Sequence, residues 1–185
     1  MTTWRNHTNP PAAERGFTLL ELMVTVGIAG ILLAIALPAM RPFILNDTLM
    51  TETNTLVLAM YAARGEAIKA DTGVQVCTSN NGQTCAAGGN WANGFIVLST
   101  VAGAAPIMVV NALTNGNTIT DHSGQPSNVT FRSTGQTNAG ANYTFVLCDS
   151  RGAGSARYVQ VMPTGRAVAS TTPGFDLAGA ALTCP

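Results

Sequence analysis

Two helical patterns follow one another between residues 17 and 71. From Phe17 to Met40, 24 residues carry a single charge, Glu21, and Arg41 ends the run. As a helix at 1.5 Å per residue this segment is ~36 Å long, enough to cross a ~30 Å hydrocarbon core. After Pro42, the residues Leu45, Leu49, Leu56, Met60, Ala63 and Ala67 recur at spacings of 4, 7, 4, 3 and 4, while Asp47, Glu52, Arg64, Glu66 and Lys69 fall off that stripe. The spacing predicts an amphipathic continuation of the helix over 41–71, with its apolar face packed on a sheet. Pro38 lacks an N–H and crowds the preceding turn, which predicts a kink or local melting. Gly65 costs ~1 kcal/mol relative to alanine in a helix, which predicts a close packing contact or a bend.

Beyond Asp71 the pattern changes to short β-rich pieces separated by Gly, Asn, Ser and Thr. Candidate strands are VQVC from Val74, GFIVLST from Gly94, PIMVV from Pro106, NVTFRS from Asn128, NYTFVLC from Asn142 and ARYVQVM from Ala156. Their close spacing, with no helical stretch between them, favours an antiparallel sheet over a βαβ arrangement. The expected fold class is α+β: a long N-terminal transmembrane-plus-amphipathic helix packed on an antiparallel sheet, with 72–185 as the globular domain. The longest loops, TSNNGQTCAAGGNWANG and NALTNGNTITDHSGQPS, are the places for variable recognition.

Composition narrows the setting. The 185 residues are 46% apolar and 10% charged with a formal net charge of zero, so no bulk attraction to nucleic acid or acidic lipid exists and any electrostatic function must be local. Lys69 is the single lysine against eight arginines, which favours planar, bidentate contacts where arginines gather. Residues 1–16 are polar and proline-broken, with Arg5 and Arg15 against Glu14. The positive-inside bias keeps such a leader in the cytoplasm and sends the rest outward.

Cys77, Cys85, Cys148 and Cys184 form no C-x-x-C pair and sit near no histidine at metal-ligand spacing, so we expect no metal site. An even cysteine count behind an export-type start reads as two disulfides with three connectivities open. We favour Cys77–Cys85, closing CTSNNGQTC, and Cys148–Cys184, tying the C-terminal tail to a strand. Of two histidines, His7 lies in the leader, and His122 is flanked by Asp121 and Ser123 in a polar loop. Adjacency in a loop makes no triad, because triad members converge from different elements. With no phosphate-binding glycine loop and no paired carboxylates, we expect neither enzymatic activity nor a cofactor.

Glu21 is the anomaly. An ionised carboxylate at the centre of a membrane helix costs ~2.5–3.5 kcal/mol, so it needs a partner that a plain anchor does not supply. A secretory signal peptide cleaved near AIA at 34–36 has an apolar core of only ~7–15 residues. The stretch RGFTLLELMVTVGIAGILLAIALP resembles the type III signal sequence of type IV pilins and type II secretion pseudopilins. The resemblance implies that a prepilin peptidase cuts after Gly16 and that Phe17 is N-methylated. It implies that Glu21 meets the N-terminal amine of a neighbouring subunit during assembly, and it places Pro38 near the end of the span. The implied partners are that peptidase, other major and minor pilins, the inner-membrane assembly platform and, before assembly, membrane lipid. The implied location is the inner membrane with the C-terminal domain in the periplasm, then the pilus or a periplasmic pseudopilus.

Between His122 and Ser170 there are four arginines, Arg132, Arg151, Arg157 and Arg166, against one acid, Asp149. Arg151 and Arg166 fall in glycine-containing turns suited to presenting guanidinium groups outward. LVLAMYAARGEAIKADTGVQVC, NWANGFIVL and LCDSRGAGSARYVQVMPTGRAV together resemble the GspH/FimT group, and within it the FimT and FimU minor pilins. Trp91 and Gly94 match its W-x-x-G, and ARYVQVMPTGR its late strand and turn. Some FimT proteins bind DNA through a G-R-x-R element. Here Gly165 and Arg166 match, Val168 stands where the second arginine would be, and the tail from Thr171 has no basic residue. The expected function is that of a minor pilin acting in pilus assembly and at the tip. The alternatives are a GspH-like pseudopilin of type II secretion and a DNA receptor for transformation that uses Arg132, Arg151, Arg157 and Arg166.

Overall fold

A computed structural model describes residues 16–122 and 128–185. The leader up to Arg15, His7 within it, and Ser123 lie outside the described residues. The chain divides into two compact units, the first ending at Arg41 and the second running from Pro42 to Pro185.

In the first unit, helix α1 begins at Leu19 and every residue from 16 to 41 is exposed. Large apolar side chains lie bare all round it, among them Leu19, Leu20, Leu22 and Met23 in its first turns. Such a surface is stable only against lipid or against other apolar helices. By length and composition the helix is able to cross a membrane. Helix α1, Leu19–Lys69, is unbroken at Pro38. Proline there removes one i→i−4 bond, leaving the Ala34 carbonyl without its donor. The local melting expected at Pro38 is absent.

In the second unit, α1 buries Leu49, Thr53, Leu56, Ala59, Met60, Ala63 and Ala67: the predicted stripe from Leu49 onward, with its gap filled by Thr53 and Ala59 added, while Leu45 is half-buried. The buried Thr53 hydroxyl donates to the Leu49 carbonyl 2.7 Å away, so the stripe takes a polar residue without an orphaned group. Gly65 is exposed and a Cβ there would meet nothing within 4 Å, so the close contact expected of it does not exist.

The strands form two antiparallel four-stranded sheets where the sequence suggests one. The first is ordered β3 (Met108–Asn111), β2 (Gly94–Ser99), β1 (Val74–Thr78), β5 (Asn128–Phe131). The second is ordered β4 (Thr118–Asp121), β6 (Tyr143–Cys148), β7 (Arg157–Val161), β8 (Ala167–Ala169). Strand alternation puts Val129, Val76, Val97 and Met108 in one row facing α1, and Phe145, Val159 and Ala169 in another. These rows and the helix stripe share one core.

Trp91 joins the sheets. Its ring meets Phe145 of β6 edge-on at 5.0 Å between centroids and Phe95 of β2 at 5.7 Å. It is presented by a short 3-10 helix, Trp91–Asn93, whose Asn90 side chain accepts the Ala92 N–H at 2.9 Å. That turn ends on Gly94 at φ +113°, where a Cβ would lie 2.6 Å from the Val110 carbonyl oxygen. The W-x-x-G spacing therefore has a local cause: an aromatic plug, one turn, and a backbone approach that only glycine permits.

The outer faces are covered by segments closed with sulfur. Cys77 lies in the outer row Asn128, Cys77, Ile96, Val109 and is bonded to Cys85, and Gly82 of the intervening loop packs on Val109. On the second sheet Cys148 is bonded to Cys184, and Leu182 of the tail packs with Val146, Cys148 and Tyr158.

Candidate functional site

The first candidate site is the start of α1. Gly16 and Phe17 precede the helix and are exposed, Phe17 at 82%, so the peptide bond between them is open to a protease. Thr18 caps the helix, its hydroxyl oxygen accepting the Glu21 backbone N–H at 3.2 Å. Thr18 and Glu21 stand at the N-cap and N3 positions of the T-x-x-E capping pattern, and the carboxylate sits in the first turn, where the helix dipole favours negative charge. Sequence reasoning missed this local role, although TLLE spells it.

The second candidate site is the arginine set, which the fold disperses. Arg132 and Arg166 are exposed, each in a tight turn: Arg132 N–H donates to Gln136 O, and Met162 N–H to Arg166 O. The two turns adjoin, since Thr137 N–H donates to Pro163 O. A Cβ on Gly165, at φ +79°, would collide with the Gly135 carbonyl. Arg64 of α1 joins them, its Nε donating to that same carbonyl at 3.1 Å. The sequence placed Arg64 off the stripe but gave no reason to group it with Arg132 and Arg166.

Arg151 and Arg157 are spent internally. Arg151 folds back on Asp149, donating through Nε at 2.9 Å and Nη2 at 2.6 Å to Oδ2, while its backbone N–H bonds Oδ1. Burial alone would raise the Asp149 carboxyl. The side-chain and backbone hydrogen bonds from Arg151, with its charge, outweigh burial and hold the carboxyl below its usual value. The third nitrogen of Arg151, Nη1, approaches the Pro42 carbonyl at 3.4 Å. Arg157 occupies the inner row with Ile119 and Leu147 and is 7% exposed. Its Nη2 donates to Asn46 Oδ1 at 2.8 Å.

No catalytic constellation forms among the described residues. His122 is exposed at the end of β4, its N–H bonded to Thr144 O. No group of three His, Cys, Asp or Glu residues is arranged to hold a metal. A groove of about 320 Å³ lies between α1 and β3, lined by Thr48, Thr51, Thr55, Phe95 and Leu113. Of its two carboxylates, Asp47 and Glu52, Glu52 accepts the Thr114 N–H and the Asn117 amide.

Residues 52–165, well over half of the chain, match the family described as Type II transport protein GspH. The chain belongs to the GspH family. Residues 11–37 of this GspH-family protein match the prokaryotic N-terminal methylation motif, which implies processing by a prepilin peptidase. The fold is similar to that of the type IV minor pilin FimU of Pseudomonas aeruginosa, with a TM-score of 0.55 at 18% identity over 71% of this chain and 98% of that one. A second crystal form of FimU gives a TM-score of 0.54 at 19% identity over 66% and 92%. A fimbrial protein of Moraxella nonliquefaciens and the type IV major alpha-pilin of Moraxella bovis are each 59% identical over 32 residues, 17% of this chain. That match spans about a fifth of the length of those pilins, 21% and 20%. The chain is thus minor pilin- or pseudopilin-like: an N-terminal apolar helix fit to anchor it in a membrane, followed by a globular C-terminal domain.

Proposed function

We propose that this protein is a minor pilin of a type IV pilus. It is exported across the inner membrane, cut between Gly16 and Phe17, N-methylated on Phe17, and held by residues 17–40 with 72–185 in the periplasm. It then joins, at low copy, the complex of other pilins that primes assembly on the inner-membrane platform and sits at the filament tip. The observation that carries the reading is the pairing of an exposed Gly16–Phe17 junction and a first-turn Glu21 with a two-sheet body shaped like FimU. Once cleaved, the chain begins with an amine four residues from Glu21, and lone in lipid that carboxylate is costly. An amine of a neighbouring subunit neutralises it, so docking and charge satisfaction become one event.

The match to a type II transport family favours a second reading, in which the same processing and assembly chemistry builds a secretion pseudopilus. A DNA receptor has less support: of the four arginines assigned to it, only Arg132 and Arg166 are exposed, and Arg64 is the further cation beside them. A deletion strain scored together for surface pili and twitching, exoprotein secretion and transformation separates the readings. Loss of piliation and twitching with intact secretion is the expected result. A secretion defect alone overturns the pilus reading.

A further inference from the structure

Strand β3 closes one edge of the first sheet, and its outer side is bare. The Val97 carbonyl of β2 turns toward β3, accepting the Ile107 N–H at 2.8 Å, while the Gly94 carbonyl turns toward β1, accepting the Ser79 N–H at 3.0 Å. With Phe95 opposite Val110 and Val97 opposite Met108, alternation gives the β2 bonds to Met108 and Val110 and turns the N–H and C=O of Val109 and Asn111 outward. Other edges have cover: on β5 the Thr130 carbonyl accepts the Asn138 N–H, and on β8 the Ala167 carbonyl accepts the Tyr61 hydroxyl. The outward groups of Val109 and Asn111 have none among the described residues. An uncharged edge of this kind, with Val109 itself exposed, is a template for another strand.

A cavity lies against each face of this edge, and Val110, Asn111 and Ala112 line both. Toward α1 is the groove of about 320 Å³, where Phe95, Val110 and Leu113 supply apolar surface. Asp47 lines it from α1 with no hydrogen bond or ion pair among the described residues. On the outer face, against the loop 79–83, is a pocket of about 540 Å³ with no charged residue in its lining. The side-chain amides of Gln83, Asn93 and Asn111 line it without a partner among the described residues. A strand laid beside β3 sends successive side chains to opposite faces, so they fall on the two cavities in turn. Backbone bonds along a free edge, with a pocket for alternate side chains, are the two parts of recognition by strand addition.

We propose that β3 receives an extended segment of a partner protein as a fifth strand of the first sheet, with a basic side chain turned into the groove beside Asp47 and a neutral hydrogen-bonding one turned into the amide pocket. Asp47 and Glu52 make the groove negative, and Glu52 is already engaged by Thr114 and Asn117. Charge complementarity therefore selects a cation, and Asp47 is the carboxylate left to pair with it. The outer amides both donate and accept, which suits a hydroxyl or another amide. Every residue used lies in the second unit, so the inference goes beyond the pilus reading without resting on it. It adds a partner held through its backbone, whose sequence is constrained mainly at alternate positions.

The test uses the full chain in a neutral detergent and a fluorescent, end-blocked heptapeptide, Thr-Val-Thr-Arg-Thr-Val-Thr, with binding read by anisotropy. The alternating peptide should bind and a scrambled one of the same composition should not. Asp47→Asn should weaken binding about fivefold, the effect of one exposed ion pair. Val109→Pro removes an N–H that points away from β2, where an edge strand tolerates proline, and should abolish binding with the circular dichroism kept, while Val109→Ala retains it. Should Val109→Pro fail to fold, the probe decides on the unaltered chain: N-methylation of one alternate set of peptide amides should abolish binding and methylation of the other set should not. No binding of the alternating peptide, equal binding of the scrambled one, binding unchanged by Val109→Pro, or equal loss with both methylated sets overturns the proposal. Binding unchanged by Asp47→Asn overturns the cation assigned to the groove. A dimer of the chain alone in native mass spectrometry that Val109→Pro dissociates would make a second copy the occupant and overturn the assignment to another protein.

Discussion

Thr18 and Glu21 are bound to each other through the first turn of α1, the threonine hydroxyl accepting the glutamate's backbone N–H at 3.2 Å. The carboxylate itself stands in the first turn, and the use we propose for it toward a neighbouring subunit is separable from that local one. Glu21→Gln keeps a polar side chain in the first turn but removes the charge, whereas Thr18→Ala removes the cap, at ~0.5–2 kcal/mol, and keeps the charge. We expect both variants, and Glu21→Val, to be inserted and cleaved. Only the two Glu21 variants should lose co-purification with other pilins and surface piliation. Immunoblots of processed chain and sheared pili measure this, and normal piliation in Glu21→Gln would sink the charge-pairing role.

Removing Arg151 should expose the cost of the carboxylate it guards. The Asp149 side chain has no solvent exposure, so Arg151→Met keeps the backbone N–H on Oδ1 but leaves Oδ2 buried without its guanidinium donors, a loss of ~1–3 kcal/mol at pH 7. The Asp149 pKa is lowered in the fold, so its contribution is present above the unfolded value near ~3.9 and is lost as pH falls through the folded value. Urea melts of the two proteins should differ at neutral pH and converge in acid below that window. A gap that stays constant into acid would assign the loss to packing instead.

Two glycines should respond to alanine with opposite signs. Gly65 lies in α1 with open space at its Cβ position, so Gly65→Ala should stabilise the domain by ~1 kcal/mol. Gly165 sits at φ +79° against the Gly135 carbonyl, so Gly165→Ala should destabilise it by more than the ~1–2 kcal/mol that left-handed backbone costs an L residue. Paired denaturation curves test both.

The two disulfides close loops of different length, with sequence separations of 8 and 36. Loop-closure entropy gives ~2.5 kcal/mol for Cys77–Cys85 and ~3.8 kcal/mol for Cys148–Cys184. Double serine replacement of the second pair should therefore lower the melting temperature more than replacement of the first. The reverse order would show that the 77–85 loop carries packing beyond its covalent closure.

What the sequence makes legible follows from the reach of its patterns. The α1 stripe depends on spacing within one element, and Leu49, Leu56, Met60, Ala63 and Ala67 are all buried as that spacing predicts. Strand pairing depends on partners far along the chain, so two sheets read as one. Two strands escaped: Thr118–Asp121 inside a loop rich in Asn, Gly and Thr, and the short Ala167–Ala169, held by β7 and by the Tyr61 hydroxyl, which donates to Ala167 O at 2.7 Å. The inward turn of Arg157 was there to be read, since Arg157, Val159 and Val161 alternate with Tyr158 and Gln160 on one strand. The Asp149–Arg151 pair also had a cue, because aspartate two residues ahead of a backbone N–H in a turn is the Asx geometry the structure contains.

The sulfur-closed loop and tail over the outer sheet faces divide the labour of the domain. Rows facing α1 must fit one another, so a change in any of them disturbs the rest. Residues 79–84 are bracketed by Cys77 and Cys85, and residues 171–183 are tied at their far end by Cys184, each resting on a few side chains beneath. Exposed positions in these segments, such as Asn80 and Thr171, therefore accept change without disturbing the rows that face α1, whereas Ser79, Gly174 and Leu182 beneath them do not.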